Sequence, residues 1–186
     1  AYEKGLEIAW AVAPDLGPFL ADEGRLRQVL LNFAGNAIKF TPSDGGRGGV
    51  LLLAERGLDG AVRLSVQDTG PGVAPEARAK IFRPFVQVEA AHGSQLGGAG
   101  LGLAVVHGIM RTHQGSVGVK STPGHGSIFT LYFPPVAAST PVMSTSRPVS
   151  VRVTCSEGAD LGCSNSRAAS RFSAGSAASK IGRAHV

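Results

Sequence analysis

Residues 22–41 of this 186-residue sequence read DEGRLRQVLLNFAGNAIKFT and predict a long helix. Asp22 and Glu23 stand where acidic side chains favour the positive end of a helix, and Pro42 follows where a helix must stop. Apolar residues recur at helical spacing and form one face: Leu26, Val29, Leu30, Phe33, Ala37 and Ile38. We therefore expect a helix from Asp22 to about Phe40 that packs one side on a hydrophobic core.

A polar stripe follows the same helix, because Asn32, Asn36 and Lys39 also recur at helical spacing. A solvated face is the ordinary explanation for such a stripe. Solvated faces favour Glu, Lys and Arg, however, whereas Asn is a mediocre helix former. An amide oxygen is a suitable ligand for Mg²⁺, and a lysine can contact phosphate. The residues leave both interpretations open: a solvated face and a magnesium–phosphate site.

A second motif, Asp68-Thr69-Gly70-Pro71-Gly72, follows a stretch that predicts a strand. Glycine and proline are common in turns, so a simple turn is one interpretation. The alternative is a base-binding loop, in which Asp68 accepts a hydrogen bond from an exocyclic amine. Gly70 and Gly72 would then let the backbone approach a flat base closely.

A third motif, Gly97-Gly98-Ala99-Gly100-Leu101-Gly102-Leu103, leads into another apolar helical stretch. Free backbone N–H groups and the helix dipole make such a helix start suitable for binding an anion, and glycines leave room for phosphate. A tight turn before a helix explains the same residues without a ligand.

The remaining segments show either the helical spacing of apolar residues or the alternation of apolar and polar residues that is typical of strands. Strands are predicted at 6–12, 50–55, 62–68, 116–121 and 127–133, and further helices at 75–81 and 100–113. Helices interspersed with hairpin-linked strands predict an α+β sandwich, in which one helical layer covers a mixed sheet.

The order and spacing of the three motifs resemble the GHKL ATPase superfamily, specifically the catalytic and ATP-binding domain of sensor histidine kinases. Residues 25–41 look like its N box, 68–72 match the G1 box, 82–85 match the F box, and 98–103 match the G2 box. The resemblance implies a two-layer α/β sandwich of the GHKL (Bergerat) type. Its mixed, mainly antiparallel sheet would be covered by helices on one face.

The resemblance also implies a role for each matching residue. Asn36 would coordinate the Mg²⁺ that bridges the ATP phosphates, with Asn32 beside it and Lys39 near the phosphates, and Asp68 would read the adenine amine. The other implied cofactor-binding residues are Gly70 and Gly72 in the adenine pocket, Gly98, Gly100, Leu101 and Gly102 by the phosphates and lid, and Phe82 and Phe85. These two phenylalanines would anchor the lid and help dock the phosphoacceptor domain, although core packing alone also explains them.

One position separates kinase from hydrolase. In the gyrase, mismatch-repair and chaperone branches of the superfamily, a Glu one turn before the metal-binding Asn activates water. Here that residue is Asn32, and a neutral amide cannot act as a general base. A neutral imidazole is already nucleophilic near neutral pH, so Asn32 favours phosphoryl transfer to a histidine.

The expected function is therefore that of a protein-histidine kinase that uses ATP and Mg²⁺. Its partners would be the phosphoacceptor and dimerisation domain of the same intact kinase and, downstream, the receiver domain of a response regulator. No histidine here has the context of a phosphoacceptor, so that domain is expected outside this chain. The lid, about residues 87–97, is poor in cations. A degenerate GHKL module that senses ATP or serves as a scaffold is the alternative.

The composition changes after Pro135. Residues 136–186 are rich in Ser, Ala, Arg and Gly and contain few large apolar side chains, which predicts a disordered tail after a domain at 1–135. The last six residues, IGRAHV, match one reading frame of a common sequencing adapter, so the end is expected to be a sequencing or read-through artefact.

The net charge of +5 suggests a nucleic-acid partner, but its distribution argues against one. Residues 136–186 hold six basic and two acidic side chains, which leaves +1 for residues 1–135. No apolar run approaches the roughly 18 residues of a membrane span, so this fragment is not expected to be membrane-inserted. We expect a cytoplasmic domain, and the intact kinase can still carry a membrane anchor.

Overall fold

The structure is a computed structural model that describes residues 4–43, 48–87, 99–135 and 147–149. Within these ranges it contains seven strands and three helices. In chain order they are β1 (Glu7–Val12), β2 (Phe19–Ala21), α1 (Glu23–Phe40), β3 (Gly49–Arg56), β4 (Val62–Asp68), α2 (Pro75–Arg78), α3 (Gly102–Thr112), β5 (Ser116–Ser121), β6 (Ser127–Phe133) and β7 (Arg147–Val149). No helix in this part of the chain is both long enough and apolar enough to cross a membrane.

Five strands form one sheet in the order β1-β3-β4-β6-β5. β1 is parallel to β3, and the other neighbouring pairs are antiparallel. α1 and α3 contact each other, α1 packs on β3 and β4, and α3 packs beside β5. The predicted α+β sandwich with a mixed, mainly antiparallel sheet is confirmed.

The core lies between the helices and one face of the sheet, and the period of two in β4 shows how it is built. Val62, Leu64 and Val66 are buried at alternate positions, and Asp68 is the next residue in this alternation. The strand therefore carries one carboxyl group to the end of an otherwise apolar row. Phe33 on α1 fills the space opposite, with its ring 5.2 Å from that of Phe129 on β6.

The predicted element bounds agree with the structure to within one residue, except at two helix ends. α3 begins at Gly102 rather than Gly100, because Gly100 has a φ of +65°, outside the right-handed helical region. α2 ends at Arg78, where the sequence predicts a helix to Ile81, and turns follow it.

β2 and β7 are not predicted from the sequence. They pair with each other in a separate two-stranded sheet, in which Leu20 lies opposite Pro148. Strands of three residues are too short to show a period of two. β7 falls inside the 136–186 segment for which the sequence predicts disorder, and the other residues of that segment lie outside the described ranges.

Candidate functional site

The polar stripe of α1 faces the beginning of α3. A Cβ atom placed on Gly102 would lie 3.2 Å from Oδ1 of Asn32, so the two helices meet where a side chain is missing. Asn32 and Asn36 are both half-buried and lie one turn apart on α1. Lys39 lies in the last turn of the same helix, with Nζ 4.9 Å from the centroid of the Phe40 ring. The predicted catalytic residues therefore line one side of α1, from its contact with α3 to its C-terminal end.

Asp68 is the most chemically distinctive residue of the site, because its side chain is buried at the end of β4 with 7% relative exposure. Burial raises the pKa of its carboxyl group, while hydrogen bonds from the backbone N–H groups of Gly70 and Ser127 lower it in part. The Gly70 N–H donates to Oδ1 at 2.8 Å. A carboxylate has about four acceptor sites, so two N–H donors leave capacity for a further donor.

Gly70 and Gly72 are required by contacts within the protein itself. A Cβ on Gly70 would lie 2.8 Å from Asp68 Oδ1 and 3.2 Å from the carbonyl oxygen of Phe40, at the end of α1. A Cβ on Gly72 would collide with the carbonyl oxygen of Thr122, and Gly72 has a φ of +73°. These glycines thus let the loop after β4 fit between α1 and the β5–β6 hairpin.

The turn of the β5–β6 hairpin is a part of the site that the sequence analysis missed. The backbone N–H of Gly124 donates to the carbonyl oxygen of Pro71 at 2.7 Å, and the N–H of Val73 donates to Oγ of Ser121 at 2.7 Å. The pair Gly124 and Gly126 could have signalled it, since both adopt positive φ values in a tight turn.

The F box meets the G2 box through the backbone. Phe85 N–H donates to the carbonyl oxygen of Gly100 at 3.1 Å, and Phe85 adopts a φ of +62°, which is rare for a residue with a Cβ. The Phe85 side chain is 75% exposed. Phe82 instead packs inward, with its ring 6.5 Å from that of Phe129. Leu101, the next G2-box residue, is 39% exposed.

Not every predicted site residue can be placed. Gly98 and residues 88–97 of the lid lie outside the described ranges. The structure brings Asn32 to Gly102 and Phe85 to Gly100. Together with the close approach of Gly70 to the Phe40 carbonyl group, these contacts bring the four predicted boxes together between α1, the end of β4 and the beginning of α3.

Fold and site together define a domain of the GHKL type. A family profile described as histidine kinase-, DNA gyrase B-, and HSP90-like ATPase matches residues 21–137, and the chain belongs to this family. The resemblance to the ATP-binding domains of sensor histidine kinases is confirmed by this profile and by the histidine kinases to which the chain is similar.

Among curated relatives, sensor histidine kinase ZraS of Klebsiella oxytoca is 38% identical over 135 residues, covering 72% of this chain and 27% of its own length. Adaptive-response sensory kinase SasA of Microcystis aeruginosa is 37% identical over 132 residues, which cover 71% of this chain and 33% of the length of SasA. The chain therefore spans only about a quarter of the first of these relatives and a third of the second.

Two solved structures are similar in sequence as well as in fold. Full-length ShkA, crystallised in complex with AMPPNP, is 52% identical with a TM-score of 0.60, covering 75% of this chain and 28% of that one. The catalytic domain of histidine kinase ThkA, in a nucleotide-free form, is 27% identical with a TM-score of 0.59. The match covers 72% of this chain and 82% of the ThkA chain.

Proposed function

We propose that this chain supplies the ATP-binding catalytic domain of a sensor histidine kinase, within residues 1–135. It would transfer the γ-phosphoryl group of ATP to a histidine on a dimerisation and phosphoacceptor domain that lies outside this chain. The observation that carries the proposal is Asp68, a buried carboxyl group that retains acceptor capacity at the end of an apolar strand face.

Adenine recognition would use this acceptor. The exocyclic amine of adenine is a donor that suits a carboxylate oxygen. Because a buried acceptor without a partner is unfavourable, a hydrogen bond from the amine to Asp68 would favour binding of adenine. Gly70 and Gly72 keep side chains out of the loop that holds Asp68. Full-length ShkA, which contains a part similar to this chain, was crystallised with the ATP analogue AMPPNP, and this supports ATP as the ligand.

The polyphosphate would lie between α1 and the beginning of α3. α3 is a helix of 11 residues that begins in the G2 box. The free N–H groups of its first turn and the positive end of its dipole favour an anion there. Asn36 is the residue that would hold Mg²⁺ through its amide oxygen, and Lys39 would contribute positive charge at the same helix end. When bound, Mg²⁺ would neutralise phosphate charge and fix the orientation of the γ-phosphoryl group.

Transfer itself would need little acid–base chemistry from this chain. The unprotonated ring nitrogen of the acceptor histidine forms a bond to the γ-phosphorus, the bond from phosphorus to the bridging oxygen breaks, ADP leaves, and the other ring nitrogen releases its proton to solvent. Asn32 can donate or accept a hydrogen bond, but it cannot take up a proton as a Glu would. Its role would be to position the phosphates near Gly102 without activating water.

The exposed ring of Phe85 would contribute to docking of the phosphoacceptor domain. Its side chain is 75% exposed, and its backbone is tied to the G2 box through Gly100. The phosphoryl group would then pass to an Asp of a response regulator receiver domain. Since the reaction consumes ATP, we place this domain on the cytoplasmic side of the cell.

Calorimetric titration of the full 186-residue chain with ATP and MgCl₂ tests the binding site. Asp68→Ala should abolish binding, and Asn36→Ala should remove its dependence on Mg²⁺. Gln67→Ala is the matched control, since Gln67 neighbours Asp68 but lies on the opposite face of β4. This variant should bind ATP with the affinity of the wild-type chain. A folded wild-type chain that fails to bind ATP would contradict the proposal.

Phosphoryl transfer needs a separate assay. The chain is mixed with [γ-³²P]ATP and the purified dimerisation and phosphoacceptor domain of a similar kinase, such as ShkA. Label that is stable to alkali and labile to acid identifies phosphohistidine. Label on that domain, lost in the Asp68→Ala variant, is the expected result, whereas release of inorganic phosphate without transfer would indicate an ATPase instead.

A further inference from the structure

Ser121, the last residue of β5, lies beside the G1 loop, which we define as residues 68–73. Its Oγ accepts a hydrogen bond from the backbone N–H of Val73 at 2.7 Å and donates one to the carbonyl oxygen of Gly126 at 2.8 Å. A third contact joins it to Oγ of Ser127 at 3.1 Å. Because a hydroxyl has one proton, already donated to Gly126, the Ser127 hydroxyl must be the donor in this contact.

This single hydroxyl joins elements on both sides of Asp68. Val73 ends the G1 loop, whereas Gly126 packs so tightly on the backbone of Asp68 that a Cβ atom there would collide with the Asp68 carbonyl group. Ser127 supplies one of the two backbone N–H groups that stabilise the Asp68 carboxylate. Ser121 therefore contacts Val73 at the far end of the loop and two residues of the hairpin, Gly126 and Ser127, that lie against Asp68.

The other end of the loop is held independently of Ser121. The Thr69 N–H donates to the Gly49 carbonyl oxygen at 3.2 Å, and the Gly49 N–H donates to Oγ1 of Thr69 at 3.0 Å. At the hairpin side, the backbone N–H of Gly124 also donates to the carbonyl oxygen of Pro71, and Asp68 pairs with Ser127 in the sheet. Removing the Ser121 hydroxyl would thus loosen Val73 at the far end of the loop, while Thr69 stays attached to β3 and Pro71 to the hairpin.

We propose that Ser121 is a positioning residue for nucleotide recognition, which holds the Asp68 carboxylate in the geometry that selects adenine over guanine. The inference rests on the proposed function. Adenine presents an amine donor where guanine presents a carbonyl acceptor. A fixed carboxylate accepts from the first and repels the second, and this discrimination weakens if the carboxylate can move.

The test measures ATP and GTP affinity of the full 186-residue chain by calorimetry. Ser121→Ala should lower ATP affinity about five-fold, which corresponds to losing the single hydrogen bond from the adenine amine to Asp68. It should also reduce the ratio of ATP affinity to GTP affinity. Ser121→Thr keeps the hydroxyl and should therefore retain most of the ATP affinity and most of the preference for ATP over GTP. Ser116→Ala makes the same change at the exposed opposite end of β5 and should alter neither.

Failure of this inference is distinguishable from failure of the proposed function. If the wild-type chain binds no ATP, the proposed function fails. If it binds ATP, and Ser121→Ala binds with the same affinity and the same ATP-to-GTP ratio, only the role of Ser121 is overturned. A variant that changes melting temperature but not this ratio would also overturn it, because a purely structural role predicts that result.

Amide hydrogen exchange of the wild-type chain tests the clamp even if Ser121→Ala does not fold. The amides of Val73 and Gly124 should be protected before any nucleotide is added, since both donate to partners across the loop. Exchange of Val73 at the rate of an unprotected amide, in a chain whose β4 amides are protected, would overturn the proposal.

Discussion

His113, at the C-terminal end of α3, accepts a hydrogen bond through Nε2 from the backbone N–H of Asp22, the N-cap of α1, at 3.0 Å. Its Nδ1 lies 2.9 Å from the carbonyl oxygen of Ile109, so the neutral ring with the proton on Nδ1 satisfies both partners. Its ring also meets that of Phe133 edge-on, at 6.0 Å between centroids. This histidine is therefore a structural link between the two long helices.

Replacing His113 with Ala should lower the free energy of unfolding by about 2–3 kcal/mol, because two hydrogen bonds and one aromatic contact are lost. Urea denaturation of the full chain measures the change. His125→Ala removes an exposed histidine from the hairpin turn and should leave the stability within about 0.5 kcal/mol. Equal effects of the two substitutions would contradict the link between the helices.

Replacing Asp68 with Asn should stabilise the unliganded fold at pH 7 while weakening ATP binding at least about ten-fold. Burial raises the pKa of Asp68, so the ionised form destabilises the folded state at neutral pH. An amide can still accept from Gly70, but its N–H₂ group would face the adenine amine with a second donor. Asp15→Asn, at an exposed carboxyl, is the control, and a loss of stability in Asp68→Asn would contradict this account.

The same raised pKa predicts two pH dependences. A folded-state pKa above the unfolded value means that the destabilising charge of Asp68 appears as pH rises through that range, so the stability difference between wild type and Asp68→Asn should vanish at low pH. ATP affinity should fall as pH is lowered through the raised pKa, since the acceptor becomes protonated. Calorimetry at several pH values should show this fall in wild type and not in Asp68→Asn.

Lys4 should stabilise the C-terminal end of α1. Its ammonium group donates to the carbonyl oxygens of Ile38 at 2.9 Å, Lys39 at 2.8 Å and Thr41 at 3.3 Å, which have no partner inside the helix. Lys4→Met keeps the apolar stem and should cost about 1 kcal/mol of stability by thermal denaturation. Lys4→Arg should retain part of this, and Lys120→Met, at an exposed lysine of β5, should change little.

Two glycines of the α3 region should respond oppositely to alanine. Gly100 has a φ of +65°, and a Cβ there would lie 3.0 Å from the backbone of Phe85, so Gly100→Ala should destabilise the fold by about 1 kcal/mol or more. Gly108 lies inside α3, and among the described residues no atom outside its own helix backbone lies within 4 Å of the added Cβ, so Gly108→Ala should stabilise α3 by roughly 0.5–1 kcal/mol. Thermal denaturation of both variants is the measurement, and shifts of the same sign would contradict the prediction.

The sequence alone predicted the helices and strands whose signal is local. β4, β5 and β6 begin and end where the period of two predicts, and α1 ends at Phe40 as its apolar stripe and Pro42 indicate. The same alternation placed Asp68 at the end of a strand. The order and spacing of the boxes identified the family, because each box is a short continuous stretch that can be read directly from the sequence, whereas each one alone left a structural alternative open.

Only the tertiary structure decided which distant residues meet, both beside the site and between the helices. Ser121 is 48 residues from Val73, and His113 is 91 residues from Asp22. Periodicity and turn chemistry act over a few residues, whereas these contacts depend on the sheet order, which sets β6 between β4 and β5 and so brings the β5–β6 hairpin to the G1 loop. The sequence determined the fold and its boxes, and the packing of the strands decided what holds Asp68 in place.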